Sequence, residues 1–122
     1  MSTIHKFNGT PSQFSWEGIP VHAYGEEFVG VTRQVPIGEA EGSDNFTIRY
    51  FRLEPGTHSN LEHHPHEHGV IVVHGRARCQ LNEQFHDVGP FDSIYITGND
   101  LHQFVQQGDE PFGFICVIKA KK

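Results

Sequence analysis

The sequence predicts an all-β domain, a barrel or sandwich. Thirteen glycines and seven prolines fall at short intervals along 122 residues. The runs between them are rich in Val, Ile, Phe and Tyr, which suit a pleated, half-buried surface. No stretch of ten residues carries the apolar period of an amphipathic helix.

In chain order, the first 27 residues contain Trp16 and several Phe but no clean period. They are expected to form an N-terminal segment that adds edge strands, covers a barrel mouth or reaches a partner as a dimer arm. The barrel proper is expected over 28–122. Strands are predicted over 28–35, 46–54, 61–64, 69–74, 77–81, 84–88, 93–97, 103–105 and 112–118. Asn82-Glu83 between two of these reads as a tight hairpin, and the EAEGSDN run at 39–45 as an exposed polar loop.

Composition narrows the function. A chain of this length supports one core and one domain. A formal charge of −6, with only nine Lys and Arg, argues against a surface that tracks nucleic-acid phosphates. Small molecules are the expected partners. No apolar run approaches a membrane span, and the opening MSTIHKFNGT lacks the apolar stretch of a signal peptide, so a cytoplasmic location is expected. Cys79 and Cys116 lie in no paired thiol motif and read as reduced core residues.

The segment GTHSNLEHHPHEHGVIVVHG, residues 56–75, holds six of the ten histidines. In an extended chain i and i+2 share a side, so Glu62, His64, His66 and His68 face one way and His63 the other. Imidazole and carboxylate suit a divalent first-row metal. Pro65 suggests a strand end where this parity fails, which leaves His66 outside the ligand set, beside the site or in solvent. The spacing Gly56-x5-Glu62-x-His64-x3-His68-x6-Gly75 resembles the first motif of the cupin superfamily, Gly-x5-His-x-His-x3-Glu-x6-Gly. Residues 91–106 resemble its second motif in spacing. Asp92 and His102 are kept, while Phe91 and Asn99 stand where the family has Gly, Thr97 where it has Pro and Gln106 where it has Asn. The first motif's terminal His and Glu have traded places here.

This resemblance implies a double-stranded β-helix, the jelly-roll barrel of a single-domain cupin. It also implies one divalent metal held by Glu62, His64, His68 and His102. Fe(II) or Mn(II) is the leading expectation, with Ni(II) and Zn(II) as alternatives, and small cupins of this kind pair as homodimers. Arg33 shares strand parity with Val29, Val31 and Val35, which places a cation on an apolar face and suggests an anionic substrate. Arg49 is a weaker candidate for that role. Tyr50, otherwise a packing aromatic, and Gln106 complete the expected substrate contacts. The leading functional expectation is a metal-dependent enzyme of dioxygenase type. A metal-dependent isomerase or lyase of a sugar acid and a non-catalytic metal- or metabolite-binding module are the alternatives.

Overall fold

The computed structural model describes residues 2–24 and 29–120; Phe28, the expected start of the first long strand, lies outside them. Among the described residues nine strands form: β1 (His22–Ala23), β2 (Val31–Ile37), β3 (Phe46–Leu53), β4 (His68–His74), β5 (Arg76–Leu81), β6 (Gln84–Val88), β7 (Ser93–Ile96), β8 (His102–Gln107) and β9 (Phe112–Lys119). A six-stranded sheet in the order β1-β2-β3-β9-β4-β7 and a three-stranded sheet in the order β6-β5-β8, antiparallel throughout, make the expected jelly roll. The polar 39–45 run contains the only helical turn among the described residues, a 3-10 turn at Glu39–Glu41. None of their helices is long and apolar enough to cross a membrane.

Both sheets feed one core. Val70, Val72, Phe112 and Phe114 from the larger sheet pack with Ala77, Cys79 and Phe104 from the smaller. Phe104 and Phe114 meet at 4.6 Å between ring centroids. Burying apolar surface of this kind is the main favourable term in folding. The hairpin expected at Asn82-Glu83 is present: Leu81 pairs with Gln84, and Asn82 adopts φ 55°, as a two-residue hairpin turn requires.

The predicted strand at 61–64 does not form. Residues 58–62 run antiparallel alongside β8 through two isolated bridges, His58 with Val105 and Glu62 with His102. The alternation survives without the strand: 62, 64, 66 and 68 turn inward while 61, 63, 65 and 67 are exposed. Pro65 occupies an outward position and leaves the parity intact. Gly75, which closes the first motif, has φ 73°, and a Cβ there would collide with the Pro111 carbonyl.

The N-terminal segment folds back as an irregular hairpin, with bridges Phe7 to Trp16 and Thr10 to Gln13. It packs on the outer face of the larger sheet. Phe14 is the anchor. Its amide donates to the Tyr50 hydroxyl at 3.2 Å, its carbonyl accepts from Gln34 Nε2 at 2.8 Å, and its ring stacks on Tyr50 at 5.2 Å. Tyr50 sits 2.5 Å from His74 Nε2, and His74 Nδ1 lies 2.9 Å from the Pro111 carbonyl. A carbonyl only accepts, so His74 carries its proton on Nδ1 and takes the Tyr50 O–H at Nε2. Burial lowers the His74 pKa and raises that of Tyr50 to about 12, which keeps both neutral.

His74 reaches this outer face because the register between β4 and β9 shifts between Val72 and His74. The extra residue reverses the inward parity of His68, Val70 and Val72. His74 then lies over Gly113, where any Cβ would overlap its ring.

Candidate metal centre and substrate cavity

Between the sheets lies a cavity of about 330 Å³. Residues 59–68 form one side; β3 contributes Arg49 and Phe51, β8 His102 and Phe104, and β9 Phe114 and Cys116. Each β3 and β9 residue named here is separated from the next by two positions, so strand parity alone places them on the inner face.

His64, His68 and His102 converge so that one ring nitrogen of each lies within 4.8 Å of the others. Nitrogens that close can share one cation after small rotations, given metal–nitrogen bonds of about 2.0–2.1 Å. His102 Nδ1 lies 2.9 Å from the Asp100 carbonyl and must donate to it, which leaves Nε2 as the free acceptor. His68 Nδ1 lies 3.3 Å from Cys116 Sγ, and its Nε2 is buried with no hydrogen-bond partner. An orphaned imidazole nitrogen is costly unless something occupies it. The residues present therefore fit a divalent ion.

Burial is the main reason the His68 pKa is lowered to about 3; the neighbouring His102, Arg49, His66 and His64 push it the same way. His68 is thus neutral at any ordinary pH, the form in which an imidazole can accept a metal ion. Glu62 lies beside this trio. Its Oε1 is 3.1 Å from His64 Nε2, and its backbone is held by two hydrogen bonds to His102, at 2.9 and 3.1 Å. His66 also lines the cavity and stacks on His64 at 5.0 Å with an interplanar angle of 8°. This puts His66 beside the site and outside the converging trio, one of the two places expected for it.

The expected substrate contacts separate into two groups. Arg49 lines the cavity; its Nη2 donates to Cys116 Sγ at 3.4 Å, and its Nε is buried without a partner. Arg33 faces the same side of the sheet, opposite Phe51, but stands at the rim beside Tyr24. The two arginines therefore exchange the emphasis that parity alone gave them. Tyr50 lies on the opposite face of β3, spent on Phe14 and His74. Gln106 is buried, with Oε1 accepting from the Gly56 amide and Nε2 donating to the carbonyls of Gln107, Gly108 and Glu110. With their polar atoms committed to the scaffold, Tyr50 and Gln106 are placed away from the cavity contacts.

Cys116 is a reduced core residue, as expected, and it also lines the cavity, which sequence reasoning passed over. Cys79 and Cys116 are both free and buried. Burial alone raises the Cys79 thiol to about 11. Cys116 is also raised by burial, but Arg49 opposes the rise, and only Cys116 of the two lines the cavity. Its parity with Phe112 and Phe114 was the available signal.

The family model for the cupin domain matches residues 49–118. The chain belongs to the cupin family. This cupin is 38% identical over 120 residues to 1-methylthio-D-xylulose 5-phosphate methylsulfurylase of Rhodospirillum rubrum, covering 95% of this chain and 76% of that protein. Among solved structures, it resembles a cupin-2 domain protein of Rhodospirillum rubrum with a TM-score of 0.83 and 39% identity, covering 95% of this chain and 79% of that one. A cupin 2 conserved barrel protein of Rhodopseudomonas palustris gives a TM-score of 0.81 at 27% identity, over 98% and 82% of the two chains. The second motif keeps its backbone in this cupin even where its glycines are gone. Phe91 and Asn99, at the two Gly positions, have φ of 71° and 69°.

Proposed function

We propose that this cupin is a metal-dependent enzyme acting on a small anionic organic compound. One observation carries the reading: the unpartnered Nε2 of His68 opens into a cavity shared with His64, His102 and the Arg49 guanidinium. His64, His68 and His102 would hold the metal, with Glu62 as the neighbouring carboxylate. An Fe(II) or Mn(II) ion bound there would supply Lewis acidity toward a substrate oxygen.

The residues of the chain do the rest. Arg49 orients the anionic end of the substrate, and Phe51, Phe104 and Phe114 exclude water and cover an apolar part. The Asp100 carbonyl and Cys116 hold two of the imidazoles in the tautomer that keeps Nε2 free. The favoured substrate is a methylthio-substituted ketose phosphate. Identity of 38% to the Rhodospirillum rubrum methylsulfurylase supports it, as does a cavity with an apolar wall and a cation. Dioxygenation is the second reading, favoured by imidazole nitrogens with one carboxylate beside them. A homodimer is part of the proposal: exposed Ile71, Tyr95 and Val117 share the outward face of the larger sheet, where Gly69 pairs with both Tyr95 and Val117. Light scattering measures that state directly.

The test is metal analysis of untagged protein, then Fe(II) or Mn(II) loading and assay of 1-methylthio-D-xylulose 5-phosphate with and without oxygen. Turnover without oxygen uptake supports the favoured reading. Oxygen-dependent loss of an enol or thiol substrate shifts it to dioxygenation. Metal-loaded protein that binds such compounds and turns over none of them makes it a binding module.

A further inference from the structure

We propose that Arg33 and Arg49 form a two-guanidinium subsite that takes a dianionic phosphate ester rather than a monocarboxylate. The inference rests on the reading of the cavity as a site for a small anionic substrate and specifies its charged group.

Register places the pair. Arg33 on β2 lies opposite Phe51 on β3, and Arg49 is two residues from Phe51 on the same face. Diagonal neighbours of this kind stand about 7–8 Å apart, within joint reach of long side chains. Both are held against aromatic rings: the Arg33 guanidinium carbon is 5.9 Å from the Tyr24 ring, Tyr24 stacks on Phe51 at 6.4 Å, and the Arg49 guanidinium carbon is 4.9 Å from the Phe51 ring. The rings fix both cations without neutralising either.

Neither arginine makes an ion pair among the described residues, although Arg52, next to Phe51 on the opposite face of β3, pairs with Glu54. The Nε atoms of both are buried and unpartnered. Two planar donors with open N–H groups on one face exceed what a single carboxylate can use. A phosphate ester has three terminal oxygens and close to two charges, enough to accept from both forks. Arg49 reaches Cys116 Sγ at 3.4 Å, and His68 Nδ1 lies 3.3 Å from the same sulfur, so a phosphate held there would sit beside the imidazole cluster.

The experiment is titration of the metal-loaded protein with inorganic phosphate, followed by calorimetry, with acetate as competitor. The variants are Arg33→Gln, Arg49→Gln, Arg33→Lys and Arg49→Lys, each checked for metal content and melting temperature. Each Gln variant is expected to weaken phosphate by roughly tenfold or more at unchanged metal content, with Lys recovering part of the loss. Acetate at equal concentration is expected to displace little phosphate. Equal phosphate affinity in wild type and both Gln variants would overturn the subsite, because the metal alone would then bind the anion. Acetate competing as well as phosphate would overturn the dianion assignment. A loss of melting temperature in the Lys variants with no phosphate binding to wild type would make the arginines structural. Arginine-dependent phosphate binding with no turnover of any substrate leaves the subsite standing and removes the enzymatic reading instead.

Discussion

Replacing Cys116 tests whether the cavity thiol holds the metal centre in order or acts on the substrate. In Cys116→Ala, His68 Nδ1 loses its contact at 3.3 Å and Arg49 loses one at 3.4 Å, both at a site where Cys116 is only 2% exposed. A buried donor left without an acceptor costs about 1–3 kcal/mol, and the small void left by sulfur adds roughly 1 kcal/mol. The expected loss in stability is therefore on the order of 2–4 kcal/mol, read from urea unfolding. His68 is also freed to rotate or change tautomer, and losing such an outer partner weakens metal binding by about 10–100-fold. Competition against a chromogenic chelator measures this. Cys116→Ser restores an acceptor and is expected to recover a large part of both losses. Unchanged metal affinity in the Ala variant would refute the positioning role. Full metal affinity in the Ser variant together with abolished turnover would show that the sulfur acts on the substrate itself.

Metal-free protein should be acid-sensitive. The His68 pKa lies at about 3 in the fold against about 6.5 unfolded, so the unfolded state binds the extra proton. Stability is then complete above the ordinary histidine range and falls as pH drops from there toward 3, by on the order of 3–5 kcal/mol in total. His74, lowered by burial, acts with the same sign. Urea midpoints at pH 8 and pH 4.5 measure the slope, and an identical slope in His68→Gln would contradict its assignment to His68. Gly113→Ala forces a methyl into the His74 ring and should cost about 2–4 kcal/mol through overpacking and a broken hydrogen bond. A double-mutant cycle with His74→Ala should show strong coupling, and simple additivity would mean the clash relaxes elsewhere. Phe91→Gly should stabilise by about 0.5–1 kcal/mol, because Phe91 is 81% exposed and held at φ 71°, a region that penalises side chains. A lower melting temperature for that variant would show that the ring has a partner in solution.

Parity was the most legible signal in this sequence. It put Glu62, His64 and His68 on one side and His63 on the other, even though 58–67 makes only isolated bridges. Extended backbone alternates whether or not it is hydrogen-bonded into a ladder, so the pattern was readable while the strand was not. Pro65 misled because its lack of an N–H matters only where a ladder needs one. His74 could not be placed this way, since a single bulged residue reverses its side and leaves no mark in composition. Tyr50 and Gln106 were drawn toward the substrate by residue type. The fate of their polar atoms depends on Phe14, Gly56 and Glu110, partners distant in sequence. Cys116 was readable by parity but hidden by the usual behaviour of a buried thiol.

The register of β9 governs two separate parts of the molecule. Gly113 must lie beneath His74 for the N-terminal hairpin to seat through Tyr50 and Phe14, and Cys116, three residues on, must face inward beside His68. A slip of one residue would move Phe112 or Phe114 into the slot that admits only glycine and turn Cys116 outward. A misregistered chain therefore cannot dock its hairpin while holding a scrambled metal centre. The hairpin, remote from the cavity, therefore shares its seating with the alignment of the strand that carries the cavity thiol.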